Sequence, residues 1–169
     1  MNREDFAGIY DVQYPRVFRY LLWRLRNRDA AEEMTAEVFA TALAAFQKGT
    51  TPKHVGSWLV GIADHFALRS WRRQRTERAA LSESPGTERD PEELVLARLE
   101  RDEIWRCVDA LSPEHQQVIL LRIVAGLSAR EVGGLTGKTE EAVRSLQLRA
   151  LHAFRVRWRE AQADAGLRS

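Results

Sequence analysis

Residues 128–154, SAREVGGLTGKTEEAVRSLQLRALHAF, constrain this chain most, because their capping chemistry defines two helices and the turn between them. Ser128 followed three residues later by Glu131 is a capping box. Gly137 breaks that first helix, and Thr139 is a second N-cap with Glu140 and Glu141 in the first turn, where the helix dipole favours acids. Along the second helix Val143, Leu146 and Ala150 fall at i, i+3, i+7 and form an apolar back. Arg144, Ser145, Leu148 and Arg149 lie on the opposite side. This combination predicts a helix-turn-helix whose second helix enters the DNA major groove.

The rest of the chain also carries helical periodicity, without strand-type alternation or internal repeats. Phe6, Tyr10, Tyr14 or Val17, Leu21 and Leu25 mark one amphipathic helix, kinked or restarted at Pro15. Asp29 with Glu32 is a further capping-box signature, followed by a core stripe of Met34, Val38, Leu43 and Phe46 and a stop at Gly49. Pro52 opens the next helix, whose buried face is Val55, Trp58, Leu59, Ile62 and Phe66. This helix runs into the arginines of 68–75. From Thr76 to about Asp90 the periodicity fails, and LSESPGTERDPEE (81–93), with two prolines, a glycine and several acids, reads as a linker. Patterning resumes near Glu92 and runs through Leu99, Ile104, Val108 and Leu111. Ser112 and Pro113 then start a helix that ends at Gly126.

The expected fold class is therefore all-α: two small helical domains joined by a flexible acidic linker, the second carrying the helix-turn-helix. The expected boundaries are 1–76, a linker at 77–91, 92–160, and a tail at 161–169. With 169 residues, 44% hydrophobic and 30% charged, the composition is that of a globular protein. The net charge of +2 says little about partners, but its distribution says more. Arg69, Arg72, Arg73, Arg75 and Arg78 cluster mid-chain, and Arg144, Arg149, Arg155, Arg157 and Arg159 cluster near the end. Residues 83–103 between them are mostly acidic. Two basic regions around an acidic stretch suggest two nucleic-acid contacts and a connector.

Catalytic and metal chemistry finds no support in the sequence. The histidines at 54, 65, 115 and 152 lack ligand spacing, and a single cysteine, Cys107, builds neither a zinc finger nor a disulfide. Cys107 lies in an apolar helical pattern and reads as a buried thiol. No glycine-rich phosphate loop or nucleophile elbow is present. We expect no enzyme, no cofactor and no metal. No apolar N-terminal run reads as a signal peptide, and no segment approaches the roughly 20 apolar residues of a membrane span. No membrane insertion and a cytoplasmic location are expected.

Three segments, in this order, resemble the extracytoplasmic-function group of the sigma-70 family of bacterial RNA polymerase sigma factors. AEEMTAEVF (31–39) is similar to the family's polymerase-binding helix. HVGSWLVGIADHFALRSWRRQR (54–75) is similar to its promoter-melting, minus-ten-reading segment. ALSPEHQQVILLRIVAGLSAREVGGLTGKTEEAVRSLQLRAL (110–151) is similar to its minus-thirty-five-reading domain. Each match alone is weak, whereas the three together at this spacing are specific.

The resemblance implies a factor that binds core RNA polymerase and directs promoter-specific initiation. Its partners would be the clamp helices of the polymerase largest subunit, promoter DNA and an anti-sigma factor. Glu33, Ala36 and Glu37 match the polymerase-binding positions, with Ala36 standing where many relatives have Gln. The loop at 50–56 matches a pocket for a base flipped from the minus-ten strand, with Lys53 and His54 as its polar candidates. His65, Arg69, Arg72 and Arg73 follow, the arginines suited to backbone phosphates of the melted strand. Where relatives often read I-A-R-N-x-x-x-D, this chain has Ile62, Ala63, Asp64, His65 and then Arg69. Arg144, Ser145, Leu148 and Arg149 match the minus-thirty-five readers. Lys138 and the arginines after Phe154 either touch phosphates or only solvate the surface. The acidic connector resembles the family segment that threads toward the polymerase active-site and RNA-exit channels.

Overall fold

The computed structural model describes residues 3–78 and 92–166, with side chains described for 5–70 and 101–164. Among the described residues every regular element is helical. The chain forms two compact units, one built on the first three helices and one on the remaining four.

In the first unit α1 (Arg3–Leu25), α2 (Arg28–Gln47) and α3 (Val55–Arg78) all pack on one another. The expected break at Pro15 does not occur, and α1 runs through it. Proline removes only the bond to Asp11, and both residues lie on the exposed side, where water can satisfy that carbonyl. The start of α2 also differs from expectation. Its N-cap is Asn27, extended at φ −136° and ψ 123°, whose side chain accepts the Ala30 amide at 2.9 Å. Asp29 sits inside the first turn, and Glu32 accepts from Arg28 Nε at 3.0 Å instead of completing a box. Arg26, at φ 58°, makes the turn between the two helices.

The buried face combines Val17, Tyr20 and Leu21 of α1 with Ala31, Thr35, Val38, Phe39 and Ala42 of α2 and Leu59, Val60, Ala63 and Ala67 of α3. Each large aliphatic side chain so buried contributes about 1.5–3 kcal/mol. Of the expected stripes Val17 and Leu21 of α1 are fully buried, but on α2 and α3 only Val38 and Leu59 are, whereas Met34, Leu43, Phe46, Val55, Trp58, Ile62 and Phe66 are half-buried. Alanines at 31, 42, 63 and 67 occupy the interior instead, and Phe46 and Trp58 meet edge-on at 5.1 Å between centroids. Nor does Pro52 open α3. The helix begins at Val55, where the His54 carbonyl accepts the Trp58 amide at 3.1 Å.

In the second unit α4 (Glu92–Asp109), α5 (Pro113–Ile119) and α6 (Ala129–Thr136) each pack on α7 (Glu140–Gly166). Ser112 caps α5 through the His115 amide, with Pro113 in the first turn as expected. The helix then widens into a π turn at Leu120–Val124 and ends before Gly126, at φ 68°, with Ile123–Leu127 grouping with the first unit. Val108, Leu111, Val118, Leu120, Leu121, Val132, Val143, Leu146 and Ala150 are buried. Cys107 is buried too, and burial pushes its thiol pKa up, which keeps it protonated and unreactive.

The sequence assigns 161–169 to a tail, but α7 continues to Gly166. No proline interrupts it, and Gln162 Nε2 donates to Glu103 Oε2 on α4 at 3.3 Å. Residues 77 and 78, expected in the linker, finish α3; linker residues 79–91 lie outside the described residues. No helix among the described residues is long and apolar enough to cross a membrane.

Candidate nucleic-acid interface

The two-helix unit predicted at 128–154 is built as its caps dictate. Glu131 N–H donates to Ser128 Oγ at 3.2 Å, and Ser128 N–H donates to Glu131 Oε2 at 2.8 Å, which closes the capping box. Gly137 takes the left-handed conformation at φ 70°, and Lys138 N–H returns to the Gly133 carbonyl at 3.1 Å. A Cβ on Gly133 would stand 2.6 Å from the Lys138 carbonyl oxygen. The turn therefore requires glycine at 133 for close approach and favours it at 137 for its φ. Thr139 Oγ1 accepts the Ala142 amide at 3.1 Å and starts α7.

Val143, Leu146 and Ala150 face inward, at most 4% exposed. Arg144, Ser145, Leu148 and Arg149 are all exposed, Leu148 at 71%. Two guanidinium forks, a hydroxyl and an aliphatic tip on one face of a rigid helix can contact guanine, phosphate and a thymine methyl. His152 continues this exposed face by one turn.

Arg144 of this face, and Lys138, Arg130 and Arg122 around it, have partners within their own unit. Lys138 Nζ lies 2.6 Å from the Glu114 carboxylate, and that hydrogen bond holds the Glu114 carboxyl below the usual range. Arg144 donates to Glu140 Oε1 at 2.5 Å, and Arg130 Nε lies 3.8 Å from Glu140 Oε2. The Arg144 contact lowers the Glu140 carboxyl pKa and raises that of the guanidinium. Arg122, on the π turn, donates from Nε to Gln147 Oε1 at 2.8 Å and orients that amide on α7. Sequence reasoning missed Arg130, Arg122 and Gln147. The Glu140–Arg144 spacing of i, i+4 was a legible signal. The others depend on tertiary placement.

In the first unit Glu33, Ala36 and Glu37 are exposed on α2. Glu33 and Glu37 line one side of an open groove of about 570 Å³, with Ala30 and Met34 of α2 and Phe66, Arg69 and Ser70 of α3. The structure thus brings Arg69, expected at DNA, to the same groove as two residues expected at polymerase. Lys53 and His54 are exposed in the loop before α3, and His65 and Arg69 are exposed on α3. Arg72 and Arg73 follow on the same helix, but their side chains lie outside the described residues.

Asp64, the departure just before His65, is only 8% exposed. It accepts from the Tyr20 hydroxyl at 2.5 Å and from Arg24 Nη2 at 3.3 Å. An acid at this position ties α3 to α1 and leaves His65 to the outer face.

Residues 9–77 match the family described as Sigma-70 region 2, and residues 107–163 match Sigma-70, region 4. The chain is 34% identical over 157 residues to the ECF RNA polymerase sigma factor BldN of Streptomyces coelicolor, covering 89% of this chain and 59% of that protein. It is 25% identical over 160 residues to the ECF RNA polymerase sigma factor SigX of Bacillus subtilis, covering 90% and 82%. It therefore spans less than two thirds of the first relative and most of the second. Its fold is similar to that of the sigma factor RpoE solved with the anti-sigma factor NepR from Bartonella quintana. The TM-score is 0.73 at 17% identity, covering 92% of this chain and 98% of that one. CnrH, solved with the cytosolic domain of CnrY, gives a TM-score of 0.69 at 19% identity, covering 97% and 90%. With both sigma-70 regions present in order, and relatives of this type along nearly its whole length, the chain belongs to the extracytoplasmic-function group of the sigma-70 family.

Proposed function

We propose that this chain binds core RNA polymerase and directs promoter-specific transcription initiation, without catalytic chemistry of its own. The first unit docks through Glu33, Ala36 and Glu37 on the clamp helices of the largest subunit. Lys53, His54, His65, Arg69, Arg72 and Arg73 hold the opened minus-ten strand. The second unit reads the minus-thirty-five element as duplex through Arg144, Ser145, Leu148 and Arg149, with Lys138 on a phosphate. Such a factor works where polymerase and chromosome meet, in the bacterial cytoplasm, and an anti-sigma protein is the expected inhibitor.

The observation that carries this reading is the exposed Arg144–Ser145–Leu148–Arg149 face over a buried Val143–Leu146–Ala150 back, on a chain that also contains region 2. Run-off transcription on a pool of genomic fragments, with purified core polymerase with and without the protein, tests it. Initiation at a small set of sites only in its presence is expected. No initiation, together with tight duplex binding by the protein alone, would make it a stand-alone regulator.

A further inference from the structure

Glu140 sits between two arginines at the start of the proposed reading helix. It stands in the first turn of α7, beside the face that would enter the groove, and its carboxylate is shared by arginines from two helices. Arg144 reaches it at 2.5 Å from one turn along α7, and Arg130 reaches it at 3.8 Å from α6. The arginine side chains are 67% and 88% exposed, whereas that of Glu140 is 32% exposed. The carboxylate is the more enclosed member, and its lowered pKa keeps it ionised. Across the turn Glu114 pairs with Lys138 at 2.6 Å.

We propose that Glu140 is a specificity-determining residue, which holds Arg144 and Arg130 away from the phosphates of unmatched duplex and releases Arg144 only where a base or phosphate in the matched site replaces the carboxylate. This inference rests on the second unit binding duplex DNA. Non-specific binding comes from phosphate neutralisation by cations, so a cation already neutralised by its own protein contributes less. At a matched site the bidentate contact of Arg144 to a base edge is strong enough to replace an exposed ion pair, which is weak and readily exchanged. The effect of Glu140 is therefore largest on the wrong DNA.

The test uses the full chain and a 30-base-pair duplex of mixed sequence, with affinity measured from about 50 to 200 mM KCl. Glu140→Gln keeps the shape, removes the charge and leaves one acceptor oxygen where the carboxylate has two. It is expected to tighten mixed-sequence binding by about threefold or more at low salt and to steepen the dependence of log K on log salt by about one. In an Arg144→Ala, Arg130→Ala background the same substitution is expected to give at most a small fraction of that gain. An unchanged slope for Glu140→Gln, or a full gain in the arginine-free background, would overturn the proposal. Glu114→Gln, read on the same duplex, provides a second variant at which release of Lys138 should steepen the slope. If the unsubstituted chain fails to bind duplex at any salt, the DNA-binding reading itself fails, and that outcome is distinct from a null effect of Glu140→Gln.

Discussion

The Tyr20 hydroxyl donates to Asp64 across 44 residues of sequence, and Arg24 joins the same carboxylate from one turn further along α1. Tyr20 is fully buried, so the contact binds α1 to α3 in the interior of the first unit. A hydrogen bond of a buried hydroxyl to a charged acceptor contributes about 1.5–3 kcal/mol. Tyr20→Phe is expected to destabilise the first unit by about that amount, read as faster hydrogen exchange of α1 and α3 amides with those of α7 unaffected. Equal protection in both proteins would mean that the hydroxyl contributes nothing net.

The same contact predicts a response to alkali. Burial first, and then the Asp64 charge, push the Tyr20 pKa well above the ordinary 10.0. The folded state therefore holds this proton more tightly than the unfolded chain does. The resulting stability is complete below the unfolded tyrosine value and declines as pH rises through the folded one. Urea unfolding of the first unit should weaken at strongly alkaline pH, and Tyr20→Phe should remove that component. A slope unaltered by the substitution would place the alkaline sensitivity elsewhere.

Two adjacent glycines on α6 should respond oppositely to alanine. A Cβ at Gly133 collides with the Lys138 backbone, whereas one at Gly134 meets nothing within 4 Å. Gly133→Ala is expected to lower the melting temperature of the second unit and to weaken duplex binding. Gly134→Ala lies in an exposed helical position and is expected to be neutral or to stabilise by up to about 1 kcal/mol. Calorimetry of both variants checks the contrast, and equal effects would refute the tight-turn account.

At the reading face, Arg149→Ala is expected to cost about 1–3 kcal/mol at one minus-thirty-five position, with polymerase affinity intact. Competition binding on single-base variants of a promoter identified by run-off transcription would reveal that position. Uniform weakening on every variant would mean that Arg149 contacts phosphate only.

Reversal of the α2 charges should separate the two halves of the proposed activity. Glu33→Arg with Glu37→Arg is expected to weaken core polymerase binding by tenfold or more, about 1.4 kcal/mol, while duplex binding by the second unit stays unchanged. Both carboxylates are exposed, so folding should be unaffected. Undiminished polymerase affinity would move the docking surface away from this edge of the groove.

The helix-turn-helix was legible because its information is local. Ser128, Glu131, Gly137 and Thr139 each satisfy or end a helix within four residues, and the apolar period of α7 survives into the fold. The start of α2 was misread for a local reason: Asn27 and Asp29 are both good caps, and only the extended backbone at Asn27 decides between them. The buried stripes of α2 and α3 were misread for a packing reason: periodicity favours large side chains, while alanines at 31, 42, 63 and 67 occupy the interior. Asp64 illustrates a third limit. Its partners lie on another helix, so an acid that stood out only as a departure from the family pattern proved to be an internal tie. The Glu114–Lys138 pair is hidden for the same reason.

In the second unit α7 is both the proposed reading helix and the element on which α4, α5 and α6 each rest. Its 27 residues extend about 40 Å, several times what the exposed reading face occupies. Its opening cannot be local, since releasing α7 removes the support of three neighbours at once. Backbone amides from Arg144 to Arg149 should therefore exchange with solvent only through collective opening of the whole unit. The proposed reading surface is thus expected to belong to the slowest-exchanging part of its unit, with little ordering entropy left to lose on binding.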